Sequence, residues 1–415
     1  GGGARRYQRG AGGRARPAPA QNGRRGPTVL ALPEDMLVET VAAPPLGPAP
    51  VARAPPRPED LDARGDRLNA AGRAVVLAGG GGWTAAGAQA LRRFVDKAGL
   101  PAGLSFRSKD LLDNRHPLYA GDVGIAPNPA LAARIRDCDL LIALGPRLGE
   151  MTTSGYTLLT PDHAARALVH IHPGAEELGR VYTPALAIAA SPVETALALA
   201  ERDWPANAAR RAAAEAAHAD YEAFSTPVRV EEGVNLSEVF AWLDAALPDD
   251  AVICNGAGNY AAWLHRFYRH NGFKTQLAPT SGAMGYGFPA AIAAKATYPD
   301  RTVVCAAGDG CFMMASSELA TAVQYDLPVI TIVADNGTYG TIRMHQERSY
   351  PGRVSGTDLV NPDFAAFAES FGAFGVQVRE TAAFPAAFEA ARASGKPAVI
   401  HVLTSAREIA PGVRL

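Results

Sequence analysis

The sequence of 415 residues is too long for one hydrophobic core and predicts two or three domains. Hydrophobic residues make up 48% and charged residues 20%, as in soluble globular proteins, and the net charge of −1 offers no overall attraction to nucleic acid or anionic membranes. The four cysteines are dispersed without a CxxC pair, and no apolar run is long enough to span a bilayer. We therefore predict a cytoplasmic protein with reduced thiols, no zinc site, and no nucleic-acid or membrane partner.

The first sixty residues predict little packed structure. Residues 1–26 contain seven arginines and no acidic residue among mostly Gly, Ala and Pro, which indicates a disordered tail. An RNA-binding arm or an organelle-targeting peptide is the less favoured interpretation of this tail. The apolar run in Pro27–Leu37 predicts one buried strand, and the proline-rich residues up to 60 predict a linker. Because the chain begins with Gly1 rather than Met, we expect a fragment.

Two α/β domains are predicted downstream, at 61–203 and at 233–415, with a helical linker at 204–232 between them. Alternating strands and helices are typical of a parallel sheet that helices cover on both faces. The segments that carry this pattern in the first domain are a strand at Arg73–Gly82, a helix at Ala85–Gly99, and strands at Asp139–Gly145 and Ala167–His172. The predicted fold class is therefore α/β, with two doubly wound parallel-sheet domains, of which the central one is Rossmann-like.

The most informative segment contains two buried strands and a helix between them. The first strand ends in Gly308-Asp309-Gly310, a helix is predicted over Ser316–Asp326, and the second strand ends in Asp335-Asn336-Gly337. In such a βαβ unit both strands end at the same edge of the sheet, roughly 4.8 Å apart if they are neighbours. Asp309 and Asn336 would then converge, although they are 27 residues apart in the chain.

Carboxylate, amide and main-chain carbonyl oxygens form the partial cage that Mg²⁺ completes with phosphate oxygens, and the glycines allow phosphates to approach the backbone closely. This pattern resembles the thiamin-diphosphate motif, in which GDG is followed by a helix and then by an asparagine. The resemblance implies that Asp309, Asn336 and the main-chain carbonyl of Thr338 bind Mg²⁺. The alternative is a turn that uses Asp and Asn for their backbone tolerance.

Two glycine-rich loops upstream and the segment after Asn336 resemble further parts of this cofactor site. Met284 would be the wedge under the bent cofactor, which suits a bulky, polarizable thioether. The cofactor-binding residues that the resemblance implies are Asn255, Gly256, Ala257, Gly258, Ser281, Gly282, Ala283, Met284, Gly308, Asp309, Gly310, Cys311, Asn336, Thr338, Tyr339, Gly340 and Thr341.

The resemblance extends to the acetolactate synthases and related carboligases. Ala120–Leu159 resembles their middle domain, and Pro27–Leu37 resembles the last strand of their first, pyrimidine-binding domain. The implied activity is decarboxylation of a small 2-keto acid followed by carboligation, in a homodimer or homotetramer. Another 2-keto acid decarboxylase is an alternative. A further alternative is a non-catalytic or split cofactor-binding subunit that needs a separate pyrimidine domain.

Several features depart from this family. The glutamate that activates the cofactor belongs to the first domain and is not identified here, so the catalytic residues are unknown and we expect weak binding and poor turnover by this chain alone. His345 stands where acetohydroxyacid synthases have a tryptophan, and Arg147-Leu148-Gly149-Glu150 replaces their flavin segment, which leaves FAD doubtful. The glycine turn Gly79–Gly82 also fits an NAD-dependent oxidoreductase, the least favoured interpretation, since no acidic residue ends the second strand.

Overall fold

The computed structural model describes residues 20–29, 31–38, 40 and 50–415. The chain divides into two compact units. Unit 1 contains the described residues up to Ser105 and Pro129–Ala217, and unit 2 contains Phe106–Asn128 and His218–Leu415. The units differ from the predicted domains in that Phe106–Asn128 groups with the C-terminal residues. Within the described ranges, no helix has the length and apolar character needed to cross a membrane.

The first sheet has six parallel strands, which are β1 (Ala74–Ala78), β2 (Ala102–Leu104), β3 (Tyr119–Asp122), β4 (Leu140–Leu144), β5 (Leu168–His172) and β6 (Leu186–Ala189). Their order is β3-β2-β1-β4-β5-β6, the order of a Rossmann-like sheet. The helices in this part of the chain are α1 (Glu34–Leu37), α2 (Pro58–Ala70), α3 (Ala85–Ala98), α4 (Pro129–Asp137), α5 (Pro161–Ala167), α6 (Pro192–Glu201) and α7 (Ala208–Phe224).

Helix α3 forms where its sequence pattern predicts it. The Thr84 side chain caps its first turn by accepting a hydrogen bond from the Gly87 N–H, and Gly99 ends it in the left-handed conformation with φ 64°. Leu91, Phe94 and Val95 are fully buried, so the apolar face of the helix lies in the core.

The predicted strand at Pro27–Leu37 is wrong. Its described residues include no strand, and Glu34–Leu37 forms the short helix α1. Pro33 precedes this helix and acidic residues occupy its first turn, a combination that favours a helix start over an extended strand. Val29 and Leu32 are exposed, so the branched apolar run is not buried against a sheet.

Residues 1–19 of the predicted disordered tail, residues 1–26, lie outside the described residues. In its remaining part, the Asn22 side chain accepts a hydrogen bond from the Ala52 N–H at 2.9 Å. Arg24 forms an ion pair with the buried carboxylate of Glu177. The described end of this segment is therefore held by polar contacts within unit 1.

The second sheet also has six parallel strands, which are β7 (Val252–Asn255), β8 (Gln276–Leu277), β9 (Val303–Gly308), β10 (Ile330–Asp335), β11 (Phe374–Val378) and β12 (Ala398–Leu403). Their order is β11-β12-β10-β9-β7-β8, and a short antiparallel hairpin follows, formed by β13 (Glu408–Ala410) and β14 (Val413–Arg414). The helices of this part are α8 (Leu236–Ala246), α9 (Tyr260–Phe267), α10 (Gly287–Thr297), α11 (Asp309–Met313), α12 (Leu319–Gln324), α13 (Gly340–Ser349), α14 (Phe364–Ser370) and α15 (Phe384–Ala393).

Strands β9 and β10 are neighbours, as the βαβ interpretation requires, with Gly308 opposite Ala334. Both strands are buried on both faces. Val304 and Ala306 pack into the hydrophobic cluster on one side of the sheet, and Val303 and Cys305 pack into the cluster on the other. The predicted fold class, two parallel-sheet α/β domains, is therefore confirmed.

The predicted helix at Ser316–Asp326 has a different start in the structure. Helix α11 begins directly after β9, and a 3₁₀ turn at Ser316–Glu318 precedes α12. The Ser316 hydroxyl donates to the Met313 carbonyl at 3.4 Å instead of capping α12. A serine hydroxyl that is engaged with the preceding turn is not available for the next helix start.

Candidate cofactor site

A cavity of about 230 Å³ lies in unit 2 at the carboxyl ends of β9 and β10. This is the edge at which open parallel sheets bind ligands. The predicted cofactor-binding residues that line this cavity are Ala257, Gly258, Gly282, Met284, Gly308, Asp309, Gly310, Cys311, Asn336, Thr338, Tyr339, Gly340 and Thr341. The structure thus brings together residues from four separate loops, and their role in cofactor binding stays a prediction.

Four predicted residues do not line the cavity: Asn255, Gly256, Ser281 and Ala283. Asn255 is buried, and its amide donates to the Gly256 carbonyl at 2.7 Å. A Cβ on Gly256 would lie 2.5 Å from the Cys311 sulfur, so only glycine fits there without a shift.

The Asp309 carboxylate joins the ends of the two strands. Its Oδ1 accepts the Gly310 N–H at 2.8 Å, and its Oδ2 accepts the Gly337 N–H at 3.0 Å. The Gly337 N–H also lies 3.0 Å from Asp335 Oδ1, and the Asn336 side chain accepts the Thr338 N–H at 3.1 Å. The two loops that carry the predicted Mg²⁺ ligands are therefore held together by direct hydrogen bonds.

Asn361 was not predicted, and it bridges the two aspartates. Its amide lies 2.8 Å from Asp309 Oδ2 and 2.8 Å from Asp335 Oδ1. The other oxygen of Asp335 lies 2.8 Å from Nε2 of the buried His401. A histidine inside the apolar strand β12 was a signal for such a partner, because a buried polar group needs one. The sequence offered no comparable signal for Asn361.

The two carboxylates have opposite electrostatic environments. Burial raises the pKa of Asp309 to about 6, although hydrogen bonds from Gly310 and Asn361 partly oppose this effect. Burial also favours a higher pKa for Asp335, but the hydrogen bonds from His401 and Asn361 outweigh it and hold the pKa of Asp335 below its usual value. A cation beside Asp309 would favour its charged form.

The oxygen donors fit a hard dication. In the described part of the chain, no group of three or more His, Cys, Asp and Glu side chains could hold a metal ion. The predicted Mg²⁺ ligands are a different set. Asp309 is the one acidic side chain among them, and the other two ligands are the Asn336 amide oxygen and the Thr338 main-chain carbonyl. Such a sparse oxygen set suits Mg²⁺, which keeps several positions for water or phosphate.

The glycines form a cradle that a larger residue would fill. A Cβ on Gly308 would lie 2.9 Å from the Tyr260 ring, and one on Gly310 would lie 2.6 Å from the Tyr339 ring. Gly282 has φ 70° and open space where its Cβ would be. This backbone can therefore approach a phosphate closely, and the donor set and cradle together fit a metal-bound diphosphate.

The remaining wall is mostly apolar. Further residues that line the cavity and were not predicted include Val230, Val234, Leu236, Asn259, Tyr260, Trp263, Ile342, Thr404, Glu408 and Ile409. They come from residues 230–236 at the start of α8, from residues 259–263 at the start of α9, from α13, from the residue after β12 and from the C-terminal hairpin. Glu408 accepts a hydrogen bond from the Glu231 N–H at 3.2 Å and lies 3.7 Å from Arg414, so that carboxylate is engaged at the hairpin.

His345 does not line this cavity. It is exposed on α13, where its Nδ1 lies 2.7 Å from the Arg348 guanidinium. The position of the family's tryptophan is therefore a surface position in this structure.

The glycine turn of unit 1 has a packing explanation. A Cβ on Gly80 would lie 2.0 Å from the Gly145 carbonyl oxygen, and one on Gly145 would lie 2.5 Å from the Gly79 carbonyl oxygen. The loops after β1 and β4 thus touch through backbone atoms, and this contact requires glycine whether or not a nucleotide binds.

Two family models match the chain. The model of the thiamine pyrophosphate enzyme central domain matches residues 62–199, and the model of the C-terminal TPP binding domain of the same enzymes matches residues 256–402. The chain belongs to the thiamine pyrophosphate enzyme family. The C-terminal match contains the GDG segment, Asn336 and most of the cavity described above.

Curated members of this family resemble the chain over most of its length. It is 29% identical over 394 residues to an acetolactate synthase large subunit of Parasynechococcus marenigrum, which covers 92% of this chain and 63% of that protein. It is 28% identical over 378 residues to a sulfoacetaldehyde acetyltransferase of Castellaniella defragrans, which covers 85% of this chain and 63% of that protein. The chain thus spans less than two thirds of the length of these two relatives.

A solved structure supports the same fold. The thiamine diphosphate-dependent 4-hydroxybenzoylformate decarboxylase of Rhodococcus jostii matches with a TM-score of 0.69 and 23% identity. The match covers 89% of this chain and 67% of that one. At this identity, the similarity concerns the fold alone.

Proposed function

We propose that unit 2 binds thiamin diphosphate through Mg²⁺, as part of an enzyme that decarboxylates a 2-keto acid and transfers the acyl group to a second carbonyl compound. The observation that carries this proposal is the junction of β9 and β10. There the Asp309 carboxylate accepts the Gly337 N–H at 3.0 Å, one residue beyond Asn336 and one before Thr338. All three predicted Mg²⁺ ligands border the same cavity.

In this proposal the chain's residues hold the diphosphate and exclude water from the reacting end of the cofactor. Asp309, Asn336 and the Thr338 carbonyl bind the metal, and the glycine loops receive the phosphate oxygens. Met284, Trp263 and Ile409 form apolar wall on the same cavity. When bound, thiamin diphosphate supplies the electron sink that stabilises negative charge at the carbon from which CO2 leaves.

The relatives support an acetolactate synthase-like reaction as the first choice. Their printed names include acetolactate synthase large subunits from several organisms and two sulfoacetaldehyde acetyltransferases. Pyruvate is therefore the first substrate to test, with release of CO2 and formation of acetolactate as the readouts. Release of CO2 without acetolactate would favour another 2-keto acid decarboxylase.

Cofactor binding can be followed through Trp263, whose indole borders the cavity. We expect thiamin diphosphate with Mg²⁺ to quench its fluorescence, and Trp263→Phe to remove that part of the signal. Trp204→Phe, a substitution in unit 1, serves as the control and should leave the quenching unchanged. Equal quenching of the wild type and Trp263→Phe would place the binding elsewhere.

A second candidate is a split enzyme, whose cofactor subunit needs a separate pyrimidine domain. It is favoured by large apolar side chains that remain exposed in unit 2, among them Tyr286, Met313, Met314 and Ile342. Ile342 lines the cavity, and Met314 approaches Gly285 beside the Met284 loop. Adding the isolated pyrimidine domain of an acetolactate synthase separates a split enzyme from an inert subunit. A gain of turnover indicates a split enzyme, and no gain indicates an inert subunit.

Further features of the proposed enzyme follow from these residues. The exposed apolar side chains support a homodimer or homotetramer, and the four buried, free cysteines support a reducing, cytoplasmic location. FAD stays doubtful. An NAD-dependent oxidoreductase would bind NADH at the glycine turn of unit 1, so unchanged NADH fluorescence at millimolar cofactor would remove that alternative.

A further inference from the structure

Arg107 has an unusual backbone conformation. Its φ is 62°, in the left-handed region that residues with a Cβ rarely adopt. Its side chain is 8% exposed, so a charged group is buried in unit 2. A glycine would adopt this backbone at lower cost, and the arginine is therefore present for its side chain.

The guanidinium has few partners. Its Nη1 donates to the Gly256 carbonyl at 3.2 Å, while Nε and Nη2 are buried without a hydrogen-bond partner among the described residues. Burial lowers the pKa of Arg107, and the neighbouring ionisable groups of Tyr260 and Asp122 oppose that effect. Asp122 forms its ion pair, at 3.9 Å, with the buried Lys109. The guanidinium also lies over the Phe106 ring, 4.9 Å from its centroid, but a buried cation with only a carbonyl and a ring as partners destabilises a fold unless an anion offsets it.

The Gly256 carbonyl belongs to the diphosphate loop, which we define as residues 255–258. The Asn255 amide also donates to this carbonyl, at 2.7 Å, so two donors fix its direction. Because a trans peptide is planar, the Ala257 N–H points away from the oxygen that Arg107 binds. Ala257 and Gly258 line the cavity, whereas Gly256 does not.

We propose that Arg107 is a positioning residue for the diphosphate, acting through the diphosphate loop. It holds the peptide between Gly256 and Ala257 in one orientation, and its buried charge is offset when an anionic diphosphate enters the cavity. This inference rests on the proposed function, because it assumes that a diphosphate is the ligand. It assigns the arginine to ligand binding rather than to the stability of the empty protein.

Two roles of Arg107 predict opposite results for Arg107→Met, which keeps much of the side-chain length and removes the charge. A positioning role predicts weaker anion binding with an unchanged or higher Tm, since an uncompensated buried charge is lost. A purely structural role predicts a lower Tm and unchanged binding. Arg107→Lys retains the charge without the planar fork and should give intermediate binding.

The experiment is calorimetric titration of the full chain with magnesium pyrophosphate, alongside thermal unfolding. Pyrophosphate represents only the diphosphate half of the cofactor, so the readout does not depend on activity. We expect the affinity of Arg107→Met to fall about tenfold. Arg64→Met is the matched control, because Arg64 is another buried guanidinium, without a hydrogen-bond partner among the described residues, and lies in unit 1 between Phe94 and Trp204. Its affinity should equal that of the wild type.

The outcomes separate the inference from the proposed function. If the wild type binds magnesium pyrophosphate and Arg107→Met binds it equally well, the proposed role of Arg107 is wrong and the proposed cofactor site is unaffected. If Arg107→Met does not fold, undiminished binding by Arg107→Lys overturns the inference, and weakened binding supports it. A wild-type chain that binds neither magnesium pyrophosphate nor thiamin diphosphate with Mg²⁺ overturns both.

Discussion

The hydroxyl of Tyr260 lies 3.3 Å from the thiol of Cys311, and this contact joins three loops around the cavity. The same hydroxyl accepts the Gly256 N–H at 3.0 Å, which ties the diphosphate loop to α9. The Cys311 sulfur accepts the Gly285 N–H at 3.4 Å, which ties the GDG segment to the loop of Met284. The relative positions of these loops therefore depend on one phenol and one thiol.

We predict that Tyr260→Phe destabilises the chain and weakens cofactor binding. Without the hydroxyl, the buried Gly256 N–H loses its acceptor, which costs about 1–3 kcal/mol. Urea unfolding and titration with thiamin diphosphate measure the two effects. Tyr182→Phe is the control, since the buried Tyr182 hydroxyl has no hydrogen-bond partner among the described residues. A loss of equal size in both variants would contradict this account of Tyr260.

Asn361 should matter for metal binding although it is not a predicted ligand. Its amide donates to both Asp309 and Asp335, so Asn361→Ala removes one of the two donors that these carboxylates share and leaves only the Gly337 N–H between them. We expect Mg²⁺-dependent cofactor affinity to fall roughly 10- to 100-fold, as for other residues that orient a metal ligand. Asn271→Ala, which removes a surface amide bound to Asp249, should leave this affinity unchanged. Unaltered affinity in Asn361→Ala would be evidence against the orienting role.

Gly310→Ala tests the cradle. The new methyl group would lie 2.6 Å from the Tyr339 ring and 3.3 Å from Leu359, so the ring must move from its place in the cavity wall. We expect a loss of about 1–3 kcal/mol in the free energy of unfolding, together with weaker binding. Gly81→Ala, in open space and without a positive φ, is the control. If both variants retain wild-type binding, close backbone approach at Gly310 is not required.

Asp110 predicts a pH dependence of stability in unit 2. Burial raises the pKa of Asp110 to about 6 from 3.8, although it accepts the Lys274 N–H at 2.8 Å. The folded state binds the proton more tightly than the unfolded state, so this group's contribution to stability falls as the pH rises from about 4 through 6. Asp110→Asn removes the effect. The free energy of unfolding of Asp110→Asn relative to the wild type should therefore rise by about 2 kcal/mol between pH 4 and pH 7.

Urea unfolding at several pH values measures this difference. Asp300→Asn, at an exposed carboxylate, controls for the change in net charge. A difference between Asp110→Asn and the wild type that is constant across this pH range would mean that burial does not raise the pKa of Asp110 above its unfolded value.

The sequence was sufficient to predict the strands and helices whose signals are local in the chain. The continuous apolar runs ending in Gly308-Asp309-Gly310 and Asp335-Asn336-Gly337 predicted two buried strands, and these strands are neighbours. Periodicity predicted α3 for the same reason, because its apolar positions recur within a few residues of one another. The prediction of a strand at Pro27–Leu37 was wrong, because a short run of branched apolar residues carries no information about whether a partner strand exists.

Other site residues depend on contacts between distant parts of the chain. Asn361 lies 52 positions from Asp309, and Tyr260 lies 51 positions from Cys311. Arg107 reaches the Gly256 carbonyl across 149 positions. No local pattern encodes these pairings, which arise only when the sheet brings the loops to one edge. Pattern alone therefore predicts the strand ends, and the fold is needed to find the residues that hold them.

The central claim is that Asp309 binds Mg²⁺ and, through it, thiamin diphosphate. Calorimetric titration of the chain with thiamin diphosphate, in Mg²⁺ and in EDTA, tests this claim most directly, with Asp309→Asn beside the exposed control Asp300→Asn. The account predicts binding that requires Mg²⁺, persists in Asp300→Asn, and falls at least about tenfold in Asp309→Asn. Binding that is equal in EDTA, or equal in Asp309→Asn, would contradict the metal site at the junction of β9 and β10.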